Sequence, residues 1–249
     1  MPQLHHDRYL RSNSYDPEWV VENEMGPNAL WLLESLCDVL PLEPGQRVLD
    51  LGCGRAMTSI FLAREFGVEV VAADLWIPAD ENQVRIETAG VADLVTAVHA
   101  EAHALPFEPE TFDAVVSIDA YQYFGTDDLY IGSLVNYLRS DGRIGIVVPS
   151  VSEEIGTEIP AHLVPYWEWE FCCFHSPGWW RTHWEKTGRV RVDHATWVDD
   201  GWRDWLRFTE ECQPHLTGWR AEAAVGERAM LEADRGEVLG FTRMVGTRA

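Results

Sequence analysis

The chain has 249 residues, 46% of them hydrophobic and 24% charged, which is a globular balance for one or two domains with enough chain to bury a real core. Its 41 acidic against 19 basic residues leave a formal net charge of −22. Nucleic acid and anionic membrane surfaces both recruit basic side chains, so this balance disfavours either as a partner. Only one basic residue, Lys186, is a lysine, and its setting His183-Trp184-Glu185-Lys186-Thr187-Gly188 resembles no phosphate loop, so Schiff-base and P-loop chemistry are close to excluded. Five cysteines in odd number and without CxxC spacing argue for reduced thiols and against a disulfide scaffold or a metal site. With no basic-then-apolar leader and no membrane-length apolar run, a soluble cytoplasmic protein is expected.

In chain order, Asp16-Pro17-Glu18 reads as a helix start, with Asp as cap and Pro at the first helical position. Leu30, Leu33, Leu36, Val39 and Leu40 then repeat near 3.6 until Pro41 and Pro44-Gly45 end the helix. From Arg47 the pattern changes to short apolar runs: Val48–Leu51, Val68–Ala73, Leu94–Val98, Phe112–Ile118 and Ile144–Val148. Helical stretches at Thr58–Phe66, Asn82–Ala89 and Asp128–Leu138 separate them. Such alternation predicts βαβ units around a parallel sheet. After Pro149 it lapses, and two more strand candidates follow at Arg189–Val198 and Val238–Gly246. Eight of the twelve tryptophans fall in residues 151–205, as a lid or as a satellite core.

The most informative stretch is Val48-Leu49-Asp50-Leu51-Gly52-Cys53-Gly54-Arg55-Ala56. Glycines after a buried strand turn the chain sharply and let a ligand approach the peptide groups. A dinucleotide fingerprint needs a third glycine where Met57 stands, and it does not need the acid at Asp50, which suits a ligand bearing an ammonium group. Asp74 closes the next strand, where a carboxylate accepts from ribose hydroxyls in either case.

Asp50-Leu51-Gly52-Cys53-Gly54 resembles motif I of the class I S-adenosylmethionine (SAM) methyltransferases, small-molecule branch. Asp74-Leu75 is similar to that family's ribose-binding strand end, and Glu101-Ala102-His103-Ala104-Leu105-Pro106-Phe107 to its segment after strand three. Phe112–Asp119 resembles its fourth strand, and Leu138-Arg139-Ser140-Asp141-Gly142 its turn before strand five. The resemblance implies an α/β Rossmann-like fold: a seven-stranded, mostly parallel sheet with helices on both faces and an aromatic-rich insert after strand five. One domain over 1–249 is expected, with a helical cap (1–46), a SAM-binding core (47–148), a Trp-rich substrate-side insert (149–188) and final strands and helices (189–249). It further implies SAM as cofactor: Asp50, Gly52, Cys53 and Gly54 would hold the methionine end, Asp74 the ribose, Leu75, Glu101 and Ala102 the adenine, and Asp119 would lie near the transferring methyl. Ala56 departs from the family pattern, standing where it has a third glycine.

Methyl transfer is an in-line displacement, so alignment is the main task, and a hydroxyl acceptor also wants a base. His175 and Tyr123 are the catalytic candidates; His103 and His162 stand behind them, and Tyr121 shares the alternate spacing after Asp119. Each has a plainer role as a cap neighbour or packed strand end. Of the tryptophans at 167, 169, 179, 180 and 184, most are expected in a local core and one or two along the pocket. The acidic segment 199–237 reads as a solvated face, and adjacent Cys172-Cys173 as small buried hydrophobes. The expected activity is SAM-dependent methylation of a small-molecule acceptor, nitrogen or oxygen favoured, with the oligomeric state open. A binding module without turnover and an NAD-dependent oxidoreductase remain as alternatives.

Overall fold

In a computed structural model that describes all 249 residues, the five apolar runs form parallel strands β1 (Arg47–Leu51), β2 (Glu69–Asp74), β3 (Val95–His99), β4 (Phe112–Ile118) and β5 (Leu138–Val151). β6 (Val190–Trp197) and β7 (Leu239–Arg248) complete a seven-stranded sheet in the order β3-β2-β1-β4-β5-β7-β6, with β7 antiparallel to β5 and to β6. Side chains alternate across the sheet, so Val48 and Val70 join one core while Leu49 and Val71 join the other. A sheet buried on both faces needs continuous apolar strands, which is why these runs lacked polar alternation.

Helices α1 (Pro17–Glu22), α2 (Ala29–Cys37), α3 (Met57–Phe66), α4 (Ala79–Thr88), α5 (Tyr130–Leu134), α6 (Pro177–Glu185), α7 (Gly201–Cys212) and α8 (Trp219–Asp234) flank the sheet. Asp16 caps α1 by accepting from the Glu18 amide, and Ser176 caps α6 by accepting from Trp179. Four sequence expectations need adjustment, the first being that Cys172 is exposed and Cys173 half-buried where a buried pair is expected. α4 starts earlier than Asn82, because Asp80 and Glu81 favour a helix N-terminus. The helix expected over Asp128–Leu138 shrinks to α5 plus a 3-10 turn at Val135–Tyr137, since Gly132 and the β-branched Ile131 and Val135 are weak helix formers. The acidic segment 199–237 is no mere solvated face. Its helix α7 buries Trp205, Phe208 and Cys212, and α8 buries Asp234, which accepts from His162 and from the Val238 and Leu239 amides.

The order reverses between β1 and β4, and a crevice opens there beyond the carboxyl ends of β1–β4. Open parallel sheets bind their ligands at such a switch point.

Candidate active site

The loop after β1 turns on left-handed backbone at Gly52 (φ 75°), Gly54 (φ 52°) and Ala56 (φ 61°). A Cβ on Gly52 would stand 2.4 Å from the Ala120 Cβ, so only glycine lets the loop reach β4. Ala56 is fully buried at the start of α3 and its methyl joins the core, not the crevice wall. Beneath the loop, buried Asp50 accepts from the Thr58 and Ser59 hydroxyls, both at 2.6 Å and both through Oδ2. Its Oδ1 has no partner. Burial pushes this carboxyl up to about 6, against the pull of those hydroxyls.

Asp74 ties the loop to the end of β2. Its Oδ2 accepts the Gly54 amide at 2.8 Å, while Oδ1 accepts the Trp76 and Ile77 amides at 2.8 and 2.9 Å. The turn so held leaves Leu75 and Trp76 exposed over the crevice, with the Trp76 ring 5.9 Å from that of Tyr123. Past β3, Glu101 accepts from the His103 ring at 2.8 Å, and this bond holds it below the usual carboxylate range.

Past β4, Asp119 is another non-glycine residue with positive φ (52°). Its Oδ1 accepts from the Gln122 side-chain amide at 3.2 Å. Burial and the nearby Glu227 carboxylate push Asp119 up to about 8, with the Gln122 bond opposing. Tyr123 follows in the 3-10 turn Tyr121–Tyr123; desolvation and nearby Asp119, Glu170 and Cys173 push its phenol upward.

These strand ends and the N-terminal segment Asn23–Pro27 enclose a cavity of about 300 Å³, within the range of small-ligand sites. Gly52, Cys53, Gly54, Asp74, Leu75, Glu101, Ala102, Asp119 and Tyr123 all line it, as does His103. Asp50 lies behind the wall. The structure does not bring His175 to the cavity. Its ring stacks on Trp179 with centroids 3.6 Å apart and pairs with Glu154 at 2.9 Å, which fixes it in the insert. His162 is likewise outside, bonded to Asp234 at 2.9 Å. None of the insert's tryptophans lines the cavity, contrary to the expectation for one or two of them. Trp180 and Trp184 are fully buried against Tyr121, at centroid distances of 5.7 and 5.6 Å.

Sequence reasoning missed Trp76, Arg55 and the Met25-Gly26-Pro27 wall. Trp76 was within reach of it, standing next to Asp74-Leu75. The N-terminal wall carried no local signal, because what holds it is the ion pair of Glu24 with Arg220, 196 residues away.

The family described as a methyltransferase domain matches residues 48–142. Methyltransferase GfsG of Streptomyces halstedii is 28% identical over 136 residues, covering 51% of this chain and 48% of that protein. The chain spans about half, or less, of the length of the first curated relatives it matches. Phosphoethanolamine N-methyltransferase 2 of Haemonchus contortus, solved with S-adenosyl-L-methionine, superposes with a TM-score of 0.75 at 20% identity, over 98% of this chain and 58% of that one. The [4+2]-cyclase SpnF superposes with a TM-score of 0.71 at 17% identity, over 88% of this chain and 80% of that one. One fold thus serves more than one reaction, and the residues of the cavity must carry the functional argument.

Proposed function

We propose that this chain is a class I SAM-dependent methyltransferase and that it methylates a small-molecule acceptor with SAM as methyl donor. The observation that carries the reading is the left-handed loop Gly52–Gly54, closed against Ala120 and opening onto a cavity with carboxylates at two successive strand ends. That arrangement fits an adenosyl ligand with a charged amino-acid tail. Asp74 Oδ2, which takes one amide, has a lone pair left for a ribose hydroxyl. Leu75 and Trp76 offer the adenine an apolar wall, with Glu101 and the Ala102 backbone at its edge. Asp50 lies behind the loop, so its carboxylate would favour a ligand's ammonium group through its field and not through a direct bond.

The donor, when bound, supplies an electrophilic methyl on a sulfonium. This chain's part is to orient the acceptor in line, exclude water and take up a proton. The acceptor enters at the Asp119–Tyr123 end, where N- and O-nucleophiles both find hydrogen-bond acceptors. No helix is long and apolar enough to cross a membrane, and the five unpaired thiols fit a reducing compartment, the cytoplasm.

Calorimetric titration with SAM, S-adenosylhomocysteine (SAH) and NAD tests the reading, with Asp74→Asn as the control. We expect saturable binding of both adenosyl-sulfur ligands, weakened about tenfold or more in the variant, and none of NAD. A preference for NAD, or no binding of SAM and SAH, overturns it.

A further inference from the structure

We propose that Asp119, held by Gln122 behind it, forms the acceptor corner of the cavity and that this corner is built for an amine, whose N–H groups meet Asp119 Oδ2. The inference rests on the methyltransferase reading above and deepens it by naming the acceptor class.

The corner holds a carboxylate oxygen without a donor. Gln122 is only 1% exposed, its amide nitrogen is committed to Asp119 Oδ1, and its Oε1 has no partner. Gln122 stands behind the cavity wall, so its part is to hold Asp119 Oδ1 and leave Oδ2 as the free acceptor of the carboxylate. Asp119 Oδ2 receives no hydrogen bond from the protein, and Gly26 makes its access possible: a Cβ there would stand 2.6 Å from that oxygen. No arginine, lysine or histidine pairs with Asp119. The charged and titratable groups around it are Glu227 on α8, Tyr123 on its own turn and Cys173 from the insert, with Glu170 next to the latter two. Glu24 is nearby on the N-terminal wall, but its carboxylate is bound to Arg220.

A site of this composition repels carboxylate and phosphate acceptors. A hydroxyl can give one hydrogen bond to Oδ2 but leaves the carboxylate charge uncompensated; a protonated amine gives that bond and neutralises the charge. The left-handed conformation of Asp119 points the same way, because strain in a non-glycine residue gathers where side chains are aimed for function.

In the reaction, an amine that arrives protonated first gives a proton to Asp119. Its nitrogen lone pair then forms the N–CH3 bond while the S–CH3 bond breaks, and the sulfur keeps that electron pair as a neutral thioether. The methylated nitrogen is left as an ammonium, which departs once Asp119 has passed its proton to solvent. Asp119 touches the acceptor and is a catalytic residue. Glu227 acts through Asp119 and is a positioning residue.

The test is titration of the full chain, saturated with SAH, with paired isosteres: benzylamine against benzyl alcohol, and tyramine against tyrosol. We expect both amines to bind about 30-fold more tightly than their alcohols. Asp119→Asn should erase that preference while SAH binding persists, and Glu227→Gln should move the pH midpoint of amine binding downward. Alcohols binding as well as amines, amines that fail to bind the SAH complex, or a preference that survives Asp119→Asn would each overturn the inference. Failure of the unaltered chain to bind SAH overturns the methyltransferase reading, and this inference with it.

Discussion

The two halves of the molecule reach the same crevice by different means. On the β1–β4 side, residues 47–124 make the cavity wall directly, with backbone turns and carboxylates at the strand ends. On the other side, the insert and α6 contribute nothing to the wall, yet they press on it from behind. Trp180 and Trp184 are buried on Tyr121, and the His183 ring bonds the Gly125 carbonyl at 3.0 Å, so α6 holds both ends of the turn that presents Asp119 and Tyr123. Gly125 itself lies so close to the Tyr121 ring that a Cβ would be 2.0 Å away. One half recognises by short-range geometry, the other positions by bulk. Damage to each should therefore read out differently.

The largest expected effect is on the positioning half. Trp184→Ala empties a fully buried site under the β4 turn, at about 3–5 kcal/mol of stability. Chemical denaturation should show that loss. Where the variant still folds, SAH affinity should change far less than acceptor binding, because Trp184 supports the Asp119 turn and not the Gly52 loop. An equal loss of both would break the division of labour. Next comes the recognition half: Gly52→Ala forces a side chain into left-handed backbone and against Ala120, a cost of about 2–4 kcal/mol from strain and overpacking together. Calorimetry should find SAH binding lost even at temperatures where circular dichroism shows the variant folded.

The same contrast explains what the sequence disclosed. The five parallel strands, the cap at Asp16 and the glycine loop depend on neighbours within a few residues, so periodicity and residue type revealed them. His175 stands beside cysteines and aromatics in the sequence, but nothing local announces that Glu154 and Trp179 hold it away from the cavity. The tryptophans were legible as a cluster and not as to which surface they face, since that depends on how α6 docks against Tyr121. Asp119 was visible as a strand end. Its elevated carboxyl was not, because burial in the folded chain raises it first and Glu227 adds to that from a helix more than a hundred residues on.

That elevation gives a smaller, pH-dependent test. A carboxyl whose folded value lies above its unfolded one stabilises the fold below the unfolded value, near 4, and loses that advantage as pH rises toward the folded value, about 8 for Asp119. Asp119→Asn removes the titration. The variant should match the unaltered chain near pH 4 to 5 and exceed it by about 1–3 kcal/mol above pH 8, read from thermal unfolding across that range. Stability gained by deleting a strained acid at the cavity wall marks a residue kept for function. A variant less stable at every pH would make Asp119 a structural acid instead.

The smallest effect belongs to Ala56, and it separates the loop's two demands, conformation and contact. Ala56 holds φ 61° but faces the core, so its methyl costs left-handed strain without touching the cavity. Ala56→Gly relieves about 1–2 kcal/mol of that strain and returns part of it through the freer unfolded chain, for a net gain of about 0.5–1 kcal/mol. The same substitution should leave SAH affinity within about twofold, because the amides that line the cavity do not move. If affinity instead rose by tenfold, the methyl at 56 would be distorting the loop in the bound state, and recognition and packing would not be as separable at this turn as the resting structure makes them.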